Sequence, residues 1–186
     1  MIIEFGLYAL VLSLATAIVA SILPVIGARR GDGNLMAVAP VAALGQFALV
    51  TIAFGILMHA HLVSDFSVVN VWENSHSLVP TLYKVSGVWG NHEGSMMLWL
   101  FILSLFSALV AVFGGNLPPS LKANVLAVQG WISSAFILFI VLTSNPFLRI
   151  APPPPEGRDL NPVLQDIGLA IHPPLLYLGY VGFSVC

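Results

Sequence analysis

The chain has 186 residues, of which 58% are hydrophobic and 8% charged; soluble domains carry about 25% charged residues, so the main solvent is a bilayer rather than water. A net charge of -2 with six Lys and Arg offers no basic face to a run of phosphates and excludes nucleic-acid binding. The lone cysteine, Cys186, excludes an internal disulfide framework and any CxxC redox or zinc motif.

The first apolar run, Leu7 to Ile26, follows Glu4 rather than Lys or Arg, and it is longer than the 7 to 15 residues of a signal-peptide core. It reads as a retained span, although Ala15-Thr16-Ala17 in mid-run has the small-x-small form of a cleavage site. Three more runs, Val38 to Met58, Met96 to Phe113 and Val125 to Thr143, are each long enough to cross about 30 Å of hydrocarbon. A fifth begins near Pro173 and reaches Cys186, which is too short to cross alone. The expected fold is therefore all-α: a polytopic transmembrane helical protein with four full spans plus the start of a fifth, either a fragment or a chain completed by a partner.

The connections alternate. Gly27 to Asn34 and Gly114 to Asn124 are short, whereas His59 to Ser95 and Ser144 to His172 are long and hold nearly all the acids. Arg29, Arg30 and Lys122 are concentrated in the short connections, while Lys84, Arg149 and Arg158 are diluted through the long ones. Positive-charge density therefore puts the short loops in the cytoplasm and the long loops outside. Gly45, Gln46, Gly55, Gln129, Ser133 and Ser134 lie inside the spans and read as helix-packing positions. No Lys, Arg, Asp or Glu lies inside a span away from its ends, which disfavours a proton relay or ion path. Pro152 to Pro155 reads as a stiff, extended spacer.

Two stretches concentrate groups capable of chemistry. Val88 to Trp99 places a His92-Glu93 pair between Gly90 and Gly94, flanked by Trp89 and Trp99, immediately before the third span. Interface anchoring by the tryptophans and a helix-dipole contact of Glu93 account for much of this. Alternatively, His92 is a ligand or hydrogen-bonding group, Glu93 an acceptor, and the two glycines admit a flat ligand or another backbone.

The second stretch runs from Glu156 to Asp166 and resumes at Ile171-His172-Pro173-Pro174. A residue before proline is extended and proline suits the first helical turn, which predicts His172 at or just before the start of the fifth helix. The positive helix end there favours the neutral, metal-binding imidazole. On sequence physics alone, a histidine hydrogen-bonded to a loop carbonyl is the favoured reading. His59, His61 and His76 read as solvated.

VWGNHEGSMMLW, TSNPF, EGRDLNPVLQD and IHPPLLYLGYVGFSV, in this order, closely resemble the N-terminal portion of the cytochrome c maturation haem lyase family, the CcmF type. The resemblance covers essentially the whole chain. It implies an integral protein of the bacterial (or mitochondrial) inner membrane with its long loops on the periplasmic side. Such a protein receives haem from a haem chaperone and, with other haem lyase subunits, attaches it to the CxxCH of apocytochrome c.

His172 matches the family's first periplasmic haem-ligating histidine, and His92 and Glu93 match its motif as site candidates without an assigned role. Arg158 is read as a partner of a haem propionate from charge chemistry, not from the resemblance. The family's tryptophan-rich external loop, second periplasmic histidine and two haem b histidines are not in this stretch. A missing C-terminal part, or a separate chain, is therefore an expected partner alongside membrane lipid. The piece alone is not expected to be active, and no catalytic residue is assigned. The competing classes are a secondary transporter or ion-translocating subunit, and a structural membrane subunit that touches no cofactor.

Overall fold

The computed structural model describes residues 1–185, so the last residue of the fifth apolar run, Cys186, lies outside the described residues. Seven α-helices form among the described residues: α1 (Ile2–Arg30), α2 (Gly33–Leu62), α3 (Val69–Asn74), α4 (Thr81–Gly87), α5 (His92–Phe113), α6 (Pro119–Thr143) and α7 (Ile167–Gly182). Each of the four long apolar runs lies within one of α1, α2, α5 and α6, and these four helices are long and apolar enough to cross a membrane. Even α5, with 22 residues, is about 33 Å long. The protein is thus an all-α, polytopic membrane protein. Among the described residues there is no strand, only an isolated bridge between Val68 and Arg149.

Local chemistry sets the helix ends. α1 stops at Gly31, whose φ of 68° is left-handed and costs a glycine little. Asp32 follows at once as the N-cap of α2, its carboxylate accepting from the N–H groups of Asn34 and Leu35 at 2.9 and 3.3 Å. Only these two residues separate the helices, so α1 and α2 form a tight antiparallel hairpin. Gly27 lies where a Cβ would come within 2.7 Å of Leu35 and of the Met36 nitrogen.

α6 packs along α1 through another small residue. A Cβ on Gly130 would lie 3.0 Å from the Ala17 carbonyl oxygen and 3.1 Å from the Ser21 nitrogen, and the Trp131 indole N–H donates to the Ser21 carbonyl at 2.8 Å. α5 packs against α2 and α6, and α7 lies against α5. Gln46, Gln129 and Ser133 are buried, as packing positions should be, whereas Gly45 and Gly55 have nothing within 4 Å of a Cβ placed on them.

The two long connections are not loose. The Val69 N–H donates to the Leu148 carbonyl at 2.9 Å, and the Ile150 N–H donates to the Ser67 carbonyl at 2.8 Å. Arg149 reaches Glu4 at 3.2 Å and Asp65 at 3.3 Å. Further along, the Arg158 N–H donates to the Trp72 carbonyl at 2.7 Å and the Asp159 N–H to the Ser75 carbonyl at 3.1 Å. Gly157 is required at this crossing, since a Cβ there would lie 2.0 Å from the Ser75 carbonyl oxygen. The connections thus form a folded layer, with α3 and α4, over one end of the four-helix bundle.

Two sequence expectations are corrected. His61 is not solvated: it is 0% exposed, because it occupies the inward face of the last turn of α2, while His59, two positions away, is exposed. Nor does the fifth helix begin at His172. It begins at Ile167, because Asp166 is a better N-cap, its carboxylate accepting from the Leu169 N–H at 3.1 Å. His172 therefore lies in the second turn, beyond the reach of the helix-end field.

Candidate functional site

The layered end of the bundle brings the two motif-rich stretches together. Asn91 caps α5, its side-chain oxygen accepting from the Gly94 N–H at 2.8 Å, so His92 and Glu93 fall in the first helical turn. Gly94 has no room for a side chain, since a Cβ would lie 1.5 Å from the Val88 carbonyl oxygen. The close approach that this glycine allows is thus made by the chain's own backbone.

His92 is exposed at the edge of the turn, with Nε2 hydrogen-bonded to the Ser144 hydroxyl at 3.1 Å and its ring edge-on to Phe139. Glu93 is half-buried, with no hydrogen-bonding partner for its carboxylate among the described residues. The tryptophans do more than mark an interface. Trp99 stacks on Tyr177 and meets Phe136 edge-on, with ring centroids 6.2 and 4.1 Å away, and the Tyr177 hydroxyl bonds Ser95.

Trp89 reaches across to α7, where its indole N–H donates to the Ala170 carbonyl at 2.9 Å. That carbonyl needs an external donor. In an α-helix it would accept from the residue four positions on, but Pro174 has no N–H, and neither has Pro173. The His-Pro-Pro sequence therefore exposes a backbone acceptor in the helix, and the Trp-Gly-Asn-His-Glu sequence supplies the donor. Between the two segments lies an open cavity of about 470 Å³ lined by Trp89, Gly90, Asn91, His92, Ser95, Met96, Trp99 and Tyr177.

His172 follows Ala170 by two positions, about 200° around the helix. Ala170 and Tyr177, seven apart, share the face against α5, so His172 points away from it and is exposed. Its imidazole has no hydrogen-bond partner among the described residues. Arg158 is placed over the Trp72 ring, 4.0 Å from its centroid. This is a cation–π contact, and the guanidinium N–H donors have no hydrogen-bond partner among the described residues. The structure thus joins His92, Trp89 and the start of α7 in one site, and it sets His172 and Arg158 on exposed surfaces around that site. Among the described residues no three His, Cys, Asp or Glu side chains converge to hold a metal ion.

Sequence reasoning gave no individual role to Asn70, Asn91, Ser144 or Tyr177, although the last three lie within its motifs. Asn91 was readable, since an Asn three residues before Gly94 and just ahead of an apolar run is an N-cap signal. The others depend on tertiary pairing and left no local signal.

Fold and site together define a polytopic helical membrane protein with an aromatic, histidine-bearing site at the end where its long loops fold. The family model described as Cytochrome C assembly protein matches residues 89–186, and the chain belongs to that family. It is 70% identical over its whole length to the cytochrome c-type biogenesis protein CycK of Rhizobium meliloti (strain 1021). It is also 48% identical, over 98% of its length, to the cytochrome c-type biogenesis protein CcmF of Escherichia coli (strain K12). The solved structure of a cytochrome c haem lyase CcmF superposes with a TM-score of 0.86 and 28% identity, covering all of this chain and 29% of that one. The chain spans about 28% of the length of the curated relatives that it matches. Membership in this family replaces the transporter alternative.

Proposed function

We propose that this chain is the N-terminal membrane segment of a haem lyase in cytochrome c biogenesis, and that it takes up haem at the end where its long loops fold. The observation that carries this reading is His172. An imidazole that is exposed on a helix and has no hydrogen-bond partner among the described residues can donate a nitrogen lone pair to iron. Arg158, whose guanidinium N–H groups have no hydrogen-bond partner among the described residues, keeps donors for a propionate, while the cavity lined by Trp89, His92, Trp99 and Tyr177 lies on the opposite face of α7 from His172. Bound haem would supply the iron centre and the vinyl groups that become joined to the cysteines of apocytochrome c.

The role of this chain is to bind and orient. His172 would ligate the haem iron and Arg158 would hold a propionate, with His92 and Glu93 as further candidates at the same end of the bundle. Any further ligand to the iron would come from another part of the protein or a separate chain. Charge density in the short connections supports placing the long-loop end on the periplasmic side of the inner membrane, where a haem chaperone, apocytochrome c and other subunits of the complex would meet it.

The test is an optical spectrum of the full-length protein after co-expression with the haem chaperone, comparing wild type with His172→Ala. The expected outcome is loss of the chaperone-delivered haem at unchanged protein level. An unchanged spectrum would make the segment a scaffold that touches no cofactor.

A further inference from the structure

His61 is a titratable side chain, 0% exposed, for which the proposed haem site has no use. Its surroundings assign its protons. The Gly94 N–H is a backbone donor, so the Asn91 side-chain atom that it meets at 2.8 Å is the oxygen. The Asn70 atom 2.8 Å from that same oxygen must then be its amide nitrogen. Asn70 consequently turns its oxygen toward His61 Nε2 at 2.9 Å, so Nε2 carries the proton and donates. Nδ1 is left as a buried acceptor with no hydrogen-bond partner among the described residues, facing Gly87, where a Cβ would lie 3.5 Å away.

A phenylalanine would fill this space without burying an unpartnered nitrogen. Among the described residues the imidazole's only hydrogen bond goes to Asn70, and Asn70 passes it to the cap of α5. The Asn91 amide nitrogen also donates to the Gly87 carbonyl at 3.1 Å, so Asn91 is fixed from both sides.

We propose that His61 is a positioning residue for the His92-Glu93 motif: by donating to Asn70 it orients Asn91, and Asn91 sets where α5 begins and where His92 points. This inference deepens the proposed haem-handling function and rests on it for its consequence, but not for its geometry.

The test uses the full-length protein in lipid nanodiscs with the haem chaperone. Two readouts are taken from one preparation: hydrogen–deuterium exchange of the peptide containing Gly94, and the optical spectrum of delivered haem. In His61→Phe, exchange is expected to rise about fivefold, as for loss of a cap interaction, and haem capture to fall. In His61→Gln, whose amide can donate to Asn70, both should return toward wild type. If His61→Phe does not accumulate, Asn70→Asp keeps an acceptor for His61, removes the donor to Asn91 and should raise exchange in the same way.

Unchanged exchange in these variants overturns the proposal, whatever the haem does. Faster exchange with full haem capture also overturns it, provided that His172→Ala loses haem alongside. Retention of haem in His172→Ala counts against the functional reading instead, and the exchange result then decides for His61 by itself.

Discussion

Trp89 and Pro174 form one interaction although they are 85 positions apart in the chain. Trp89→Phe removes the donor while the Ala170 carbonyl, buried with its residue at 4% exposure, still has no helical N–H to turn to. The expected cost is about 1–3 kcal/mol. Pro174→Ala restores a helical N–H for that carbonyl, so the double variant should be less destabilised than Trp89→Phe alone. A double-mutant cycle on thermal unfolding in detergent checks this, and additive effects would show that the indole and the proline act separately. His172 illustrates what sequence can show at this scale. Its exposure at a membrane-end site was legible from the prolines, but its place in the helix was not, because capping by Asp166 prevails over the tendency of a pre-proline residue to start a helix.

At the scale of elements, the four spans were legible because hydrocarbon imposes a length and a composition that few other constraints imitate. The layer made by the long connections was not legible, since its order comes from backbone pairings between residues about eighty positions apart, such as Ser67 with Ile150. One tie in this layer depends on pH. Glu156 accepts from the Ser77 hydroxyl at 2.6 Å and from the N–H groups of Ser77 and Gly157, each at 3.0 Å.

The Ser77 hydroxyl first, then the Gly157 N–H, hold the carboxyl of Glu156 down at about 2 from its ordinary 4.5, with the nearby His76 adding a smaller pull. A depressed carboxyl stabilises the fold fully above the unfolded value of 4.5 and loses that contribution as pH falls toward about 2. Exchange at residues 75–79, corrected for intrinsic pH dependence, should therefore rise as pH drops from 5 to 2, and Glu156→Gln should flatten that rise. Equal pH profiles in the two proteins would mean that the tie does not depend on the carboxylate charge.

At the scale of the whole molecule, composition and motif order already pointed to a helical membrane protein of cytochrome c assembly, and family membership agrees. The relative placement of the site residues could not be read in the same way. His61 shows the reason: its burial is decided by which face of α2 meets α3 and α4, and neighbouring residues in the sequence carry no record of that face. The same arrangement sorts the aromatic residues by depth. Trp72, Trp89 and Trp99 belong to the long-loop end, while Trp131 sits midway along α6 and is 52% exposed. Haem absorbs where tryptophan emits, and energy transfer falls steeply with distance, so the protein contains its own optical ruler. Haem arriving at the proposed site should darken the emission of Trp89 and Trp99 far more than that of Trp131, a contrast that single Trp→Phe replacements would resolve; equal quenching of all four would place the haem elsewhere.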